Sequence, residues 1–259
     1  MLFDFTHVLY MVISTIGIIL SLVLAHRFIV SEGGREAFLK TVATVTVIIH
    51  YSNIWVEFFG NGGSTAGLEG SHLFPVYPCH IMMWLFFVTA FMKNKRGTAF
   101  KLLADFCFFV GIVCATFGVV LNMNYADNPT LADWSVLKGL LSHSTLILGC
   151  AYLRIGGFMK IRMSNLFGCV AGFLIFLLDG LFVNWLYELC GLPEVNAMFL
   201  LYSPFENMPW LSIYTMGVLG FVFLFTILCI YEFFIPKEER WYVKLEDWIY
   251  KIKERIVSK

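Results

Sequence analysis

One cysteine and one histidine have the types and positions that thiol-dependent acyl transfer needs. Cys79 follows Pro78 at the start of an apolar segment, and proline favours the first position of a helix because its missing N–H would have no helical partner there. Cys79 would then lie in the first turn, where the helix dipole stabilises a thiolate and unpaired N–H groups can bind an oxyanion. His143 is the candidate base, since His80 points about 100° away from Cys79 around the helix. Packing alone, or a disulfide to Cys190, would also explain a cysteine here.

Further polar residues occur in the same half of several apolar segments. An ionisable group at mid-bilayer costs at least ~2.5–3.5 kcal/mol, so each needs a partner, water or a function. We therefore predict one shared cavity that opens on one side of the membrane, lined by residues that support the catalytic pair: His50, Asn53, Glu57, His80, Asn122, Asp179, Asn184 and Asn196. Asp179, Glu57 or Asn184 could orient His143. The alternative is that these groups only link helices by hydrogen bonds, worth about 0.6 kcal/mol per pair.

A zinc site is a second interpretation of the same residues. His50, His80, His143, Glu57 and Asp179 have suitable ligand chemistry, but no HxxxH or HExxH spacing places two ligands on one helix face. No glycine-rich loop for a phosphate group is present, and the seven cysteines contain no CxxC pair. We predict neither a metal nor a cofactor.

The composition indicates that these residues lie in a membrane. The chain has 259 residues, of which 59% are hydrophobic and 14% charged, whereas soluble domains are roughly 45–50% apolar and about 25% charged. About 20 apolar residues span the hydrocarbon. The sequence predicts an all-α, polytopic membrane protein with seven such segments: residues 6–28, 38–59, 75–92, 102–122, 136–158, 165–187 and 209–235.

The positions of lysine and arginine predict the orientation, because these residues stay on the cytoplasmic side of short loops. Seventeen of the eighteen fit an N-terminus outside and a C-terminus in the cytoplasm, and Lys138 alone breaks the alternation. We expect a bacterial cell membrane, while an endoplasmic reticulum would also fit. Residues 1–236 form the predicted transmembrane domain, and residues 237–259 a cytoplasmic amphipathic helix that lies in the headgroup region or docks on the protein's own loops.

Three segments resemble a known family. LFPVYPCHI (residues 73–81), LLSHSTLILG (140–149) and GLPEVNAMFLLYSP (191–204) are similar to the YwaF-like integral membrane family, which includes transmembrane protein 164. That member is regarded as a cysteine-dependent phospholipid acyltransferase. The resemblance implies that Cys79 is the acyl-accepting cysteine and His143 the catalytic histidine.

Lipid acyl transfer or hydrolysis in the outer leaflet is therefore the leading interpretation, with membrane lipids as partners. The rival is a transporter or binding protein whose outward-facing cavity captures a small solute, and a scaffold without chemistry is a third interpretation. The net charge of zero gives no basic surface for nucleic acid. Whether the chain is an enzyme, and its oligomeric state, stay open at this point.

Overall fold

The fold is that of a computed structural model, which describes residues 2–60, 62–64, 74–203, 209–210, 212–246, 248 and 250. Within these residues the chain is helical and contains no strand. The helices, numbered in chain order, are: α1 Phe5–Phe28, α2 Glu32–Gly60, α3 Pro78–Phe91, α4 Thr98–Phe106, α5 Ile112–Val120, α6 Met123–Asp127, α7 Trp134–Ile155, α8 Asn165–Leu189 and α9 Ile213–Glu232.

The seven predicted segments correspond to helices of this fold. Six helical stretches are long and apolar enough to cross a membrane, one of them running from α4 through α6, and α3 is a shorter apolar helix. The all-α, multi-pass prediction is thereby confirmed. The inside–outside orientation stays a prediction.

Two helices differ in detail from the predicted segments. α2 begins at Glu32 because the Ser31 hydroxyl accepts a hydrogen bond from the Gly34 N–H at 3.1 Å, which satisfies one of the unpaired donors of the first turn. The fourth segment is not a uniform α-helix, since a π-helical turn, Cys107–Gly111, joins α4 to α5.

α7 is the central helix of the bundle. Two thirds of its most apolar stretch is buried, against 6% for α1 and 11% for α9. At Gly149, α7 approaches α3 so closely that an added Cβ would lie 2.2 Å from the Phe86 ring. The polar side chains of this helix are therefore surrounded by protein, whereas the apolar surfaces of α1 and α9 suit lipid contact.

The Gly168 and Gly172 pair, at GxxxG spacing, packs α8 against α4. An added Cβ would lie 2.6 Å from Cβ of Asp105 at Gly168 and 2.0 Å from the Phe106 ring at Gly172. Small residues let helix backbones approach this closely. The glycines thus serve a contact inside this chain.

The residues that follow α9 are attached to the end of that helix. The buried Glu232 carboxylate accepts the Trp241 N–H at 2.9 Å, and Arg240 donates to the Phe233 carbonyl at 3.2 Å. Residues 241–246 are helical. Residues 247, 249 and 251–259 of the predicted amphipathic stretch lie outside the described residues, so the proposed domain boundary stays a prediction.

Candidate functional site

Polar residues from α2, α3 and α7 meet at one end of the bundle. This is the end at which α2 finishes and α3 begins, and we call it the polar end. His50 on α2 and His80 on α3 have ring centroids 4.5 Å apart. The Lys138 ammonium on α7 reaches the His50 carbonyl at 3.5 Å, and the Trp134 indole donates to the Ser52 hydroxyl at 2.9 Å. These contacts join three helices.

Cys79 occupies the predicted place in the first turn of α3. Pro78 is the first residue of the helix, and Tyr77 precedes it without a side-chain cap. The backbone N–H groups of Cys79 and His80 lie close to the Cys79 sulfur. The thiol is partly buried, and Cys79 and Cys190 are both free cysteines rather than a disulfide.

The His143 ring is held by its own helix. Its Nδ1 lies 2.6 Å from the Gly139 carbonyl oxygen, and the side chain is 8% exposed. A carbonyl oxygen only accepts, so Nδ1 carries the proton and Nε2 of the neutral ring keeps its lone pair. Nε2 has no hydrogen-bond partner among the described residues. Gly139, rather than a carboxylate or Asn184, therefore orients the imidazole.

A glycine on α5 makes room for this histidine. An added Cβ at Gly118 would lie 2.1 Å from Cδ2 and 2.3 Å from Nε2 of His143. Asn122, one turn further on, donates to the Gly118 carbonyl at 3.2 Å and accepts the Tyr125 N–H at 2.9 Å, which caps α6. Asn122 thus shapes the backbone beside His143 and has a helix-capping role.

The thiol and the imidazole do not form a hydrogen bond with each other in the described part of the chain. Instead they lie on two helices that the polar end joins, Cys79 on α3 and His143 one turn below Gly139 on α7. The His143 Nε2 lies beside Gly118 on α5, and no contact among the described residues joins it to the Cys79 sulfur.

Asn53 and Glu57 form a pair on α2. The Asn53 amide donates to the Glu57 carboxylate one turn further along the helix, and Asn53 is buried. Asp179 on α8 is half-buried, lies within electrostatic range of Tyr51 and has one carboxylate oxygen without a partner among the described residues. Both carboxylates thus face the protein rather than lipid.

Asn184 and Asn196 hold the loop that follows α8. Asn184 accepts the Ala197 N–H at 2.8 Å, and Asn196 accepts the Leu201 N–H at 2.9 Å and donates to the Tyr202 carbonyl at 2.8 Å. The same loop donates the Met198 N–H to the Val76 carbonyl just before α3. These two asparagines therefore position the segment that contains Cys79.

Lys138 is the residue of the polar end that the predicted site omitted. It is 9% exposed, and it lies within electrostatic range of Glu57 and Cys79. The sequence carried a signal for it, because Lys138 is the one basic residue that breaks the charge alternation.

No group of three histidine, cysteine or acidic side chains is arranged to hold a metal ion in the part of the chain that the structure describes. The chain matches neither a curated protein nor a solved structure. The TMEM164 family, however, matches residues 2–231, nearly the whole chain. The protein therefore belongs to the TMEM164 family of multi-pass integral membrane proteins.

Proposed function

We propose that the protein is a cysteine-dependent lipid acyltransferase or lipid hydrolase, with Cys79 as nucleophile and His143 as base. The observation that carries the proposal is the hydrogen bond between His143 Nδ1 and the Gly139 carbonyl. The Nδ1–H is fixed on this carbonyl, so the buried Nε2 is available to accept a proton. A nucleophile activated by a base that a third group orients is the usual arrangement of acyl-transfer enzymes.

The reaction conserves atoms and charge in two steps. His143 Nε2 takes the thiol proton, and the Cys79 sulfur attacks the carbonyl carbon of a lipid ester. The bond between the acyl carbon and the ester oxygen breaks, the leaving alcohol takes the proton from His143, and an acyl-thioester remains. A lysolipid hydroxyl or water then gives its proton to His143 and attacks the thioester, which releases the acyl group and restores the thiol.

The first turn of α3 supports the stabilisation of the intermediate. The Cys79 N–H lies near the Cys79 sulfur and is a donor that an oxyanion on the acyl carbon could use, whereas the His80 N–H donates to the Tyr77 carbonyl at 2.9 Å. Lipid substrates would reach the polar end through the bilayer, since the neighbouring helices present exposed apolar side chains such as Trp55 and Phe59.

The test is the formation of the acyl-thioester. Purified protein is incubated with a phospholipid that carries a labelled acyl chain, and intact-mass spectrometry measures a hydroxylamine-sensitive adduct. We expect the adduct on the wild type and on Cys190→Ala, an exposed cysteine, but not on Cys79→Ala. His143→Ala should slow its formation. An adduct that persists in Cys79→Ala contradicts the mechanism.

We further propose that the reaction takes place in the outer leaflet of a bacterial cell membrane. The proposal rests on the distribution of lysine and arginine. In intact cells, a membrane-impermeant maleimide should label Cys190, in the loop after α8, without permeabilisation. Labelling only after permeabilisation would place the polar end on the cytoplasmic side.

A further inference from the structure

Lys138 is a buried lysine near the start of α7. Its single hydrogen bond within the described part of the chain is the 3.5 Å contact with the His50 carbonyl, and no carboxylate lies within ion-pair distance of it. A lysine ammonium has three donors. A charge removed from water without such a partner is costly, so packing gives no reason for a lysine here.

The Lys138 side chain also does not extend toward water. Lys138 is the fifth residue of α7, so its Cα lies only about 6 Å from the start of the helix at 1.5 Å per residue. Lysines so close to a helix end normally extend toward the interface. This one instead turns inward toward α2, where Glu57 and Cys79 lie within electrostatic range.

We infer that Lys138 binds the phosphate group of a phospholipid and so places the lipid's ester at Cys79. The inference rests on the proposed function for the role of Cys79, although binding itself does not require the thiol. Lysine is a common phosphate ligand as a point charge. The position of Lys138 about 6 Å from the start of α7 is near the end of the helix, the side from which a phosphate in the headgroup layer would approach.

The arrangement of the polar end explains how one cation could orient the substrate. Lys138 contacts the His50 backbone, the His50 ring contacts His80, and His80 follows Cys79 in the chain. A phosphate at Lys138 therefore lies on the same side of the bundle as the sulfur. Glu57 is held by Asn53, which keeps this carboxylate engaged on α2 rather than paired with Lys138.

The experiment measures binding without turnover, in a Cys79→Ser background. Tryptophan fluorescence of the full chain in detergent is titrated with dihexanoyl phosphatidylcholine, with dihexanoylglycerol, which lacks the phosphate, and with inorganic phosphate. Lys138→Met should weaken phosphatidylcholine binding at least tenfold and leave dihexanoylglycerol binding within twofold. The control is Lys101→Met, an exposed lysine on α4, which should match the parent in every titration.

The same variants separate a binding role from a structural one. Lys138→Met and Lys138→Gln remove an unpaired charge, so the melting temperature without ligand should stay the same or rise. A fall of many degrees in both variants overturns the inference, as does phosphatidylcholine binding that is unchanged by either. Binding of inorganic phosphate as tight as that of the lipid would identify a soluble anion as the ligand and overturn the lipid assignment.

Failure of acyl-thioester formation in the protein with Cys79 intact would refute the proposed function and leave these binding results unaffected.

Discussion

The contact between Gly118 and His143 predicts a strong, specific coupling between two helices. Gly118→Ala places a methyl group 2.1 Å from Cδ2 of His143, whereas ordinary contact begins at 3.4 Å. The ring would have to retreat by about 1.3 Å. It is 8% exposed and held by the 2.6 Å contact of Nδ1 with Gly139, so the retreat strains or breaks that hydrogen bond.

The free energy of the change follows from overpacking. Extra methyl groups in a packed interior cost about 1–3 kcal/mol, and a lost hydrogen bond adds about 1 kcal/mol. We expect Gly118→Ala to lower the free energy of unfolding by about 2–4 kcal/mol in total. If His143 is the base, displacement of the ring by about an ångström should also slow acyl transfer about 100-fold.

A double-mutant cycle tests the contact itself. The free energy of unfolding in detergent micelles is measured for the wild type, Gly118→Ala, His143→Ala and the double variant. Removal of the ring makes room for the methyl group, so Gly118→Ala should cost little in the His143→Ala background, with a coupling of about 2–4 kcal/mol. Gly17→Ala, which meets nothing within 4 Å, controls for the glycine substitution. Additive effects of the two changes would refute the reasoning.

Two further predictions concern the packing of α8 and the start of α1. Gly172→Ala should lower the free energy of unfolding by about 1–3 kcal/mol, because the new methyl group would lie 2.0 Å from the buried Phe106 ring. A loss of stability no larger than that of Gly17→Ala would contradict this packing. Hydrogen bonds from the His7 N–H and the Tyr125 hydroxyl lower the pKa of the Asp4 carboxyl below its usual 3.8. The stability that Asp4 contributes is therefore present above about pH 4 and lost as the pH falls through the lowered pKa. The melting temperature should then fall with acid more steeply in the wild type than in Asp4→Asn. Equal slopes in the two proteins would exclude this role.

The spans could be predicted from sequence because their cause is local. A run of about 20 apolar residues has few alternatives in a chain that must satisfy every backbone group in lipid. The start of α2 was not predicted, because apolar composition marked the segment from residue 38, whereas the helix begins at Glu32 after Ser31, whose hydroxyl accepts the Gly34 N–H. The π-helical turn Cys107–Gly111 was not predicted either, because it depends on how that segment packs against α7, where an added Cβ at Gly111 would lie 2.7 Å from the Cys150 sulfur.

The site was predictable in depth but not in its contacts. Helical rise placed His50, Cys79 and His143 toward the same end of the bundle. The atom that orients His143 is a carbonyl of its own helix, however, and the niche for its ring is a glycine on α5. The first depends on the rotamer of His143 and the second on the rotation of α7 against α5, and neither leaves a pattern in the sequence.

The two interpretations that the sequence left open assign different roles to the polar residues. Asn122 and Asn196 bond to backbone groups that cap a helix or hold a loop, as expected for residues that stabilise the fold. Among the described residues, Lys138 has only the His50 carbonyl as an acceptor, and His143 Nε2 has no partner. Burial of unmatched groups is unfavourable, and our proposals assign a lipid phosphate to Lys138 and a transferred proton to His143. The asparagines should therefore affect stability first when substituted, and Lys138 and His143 should affect binding or chemistry first.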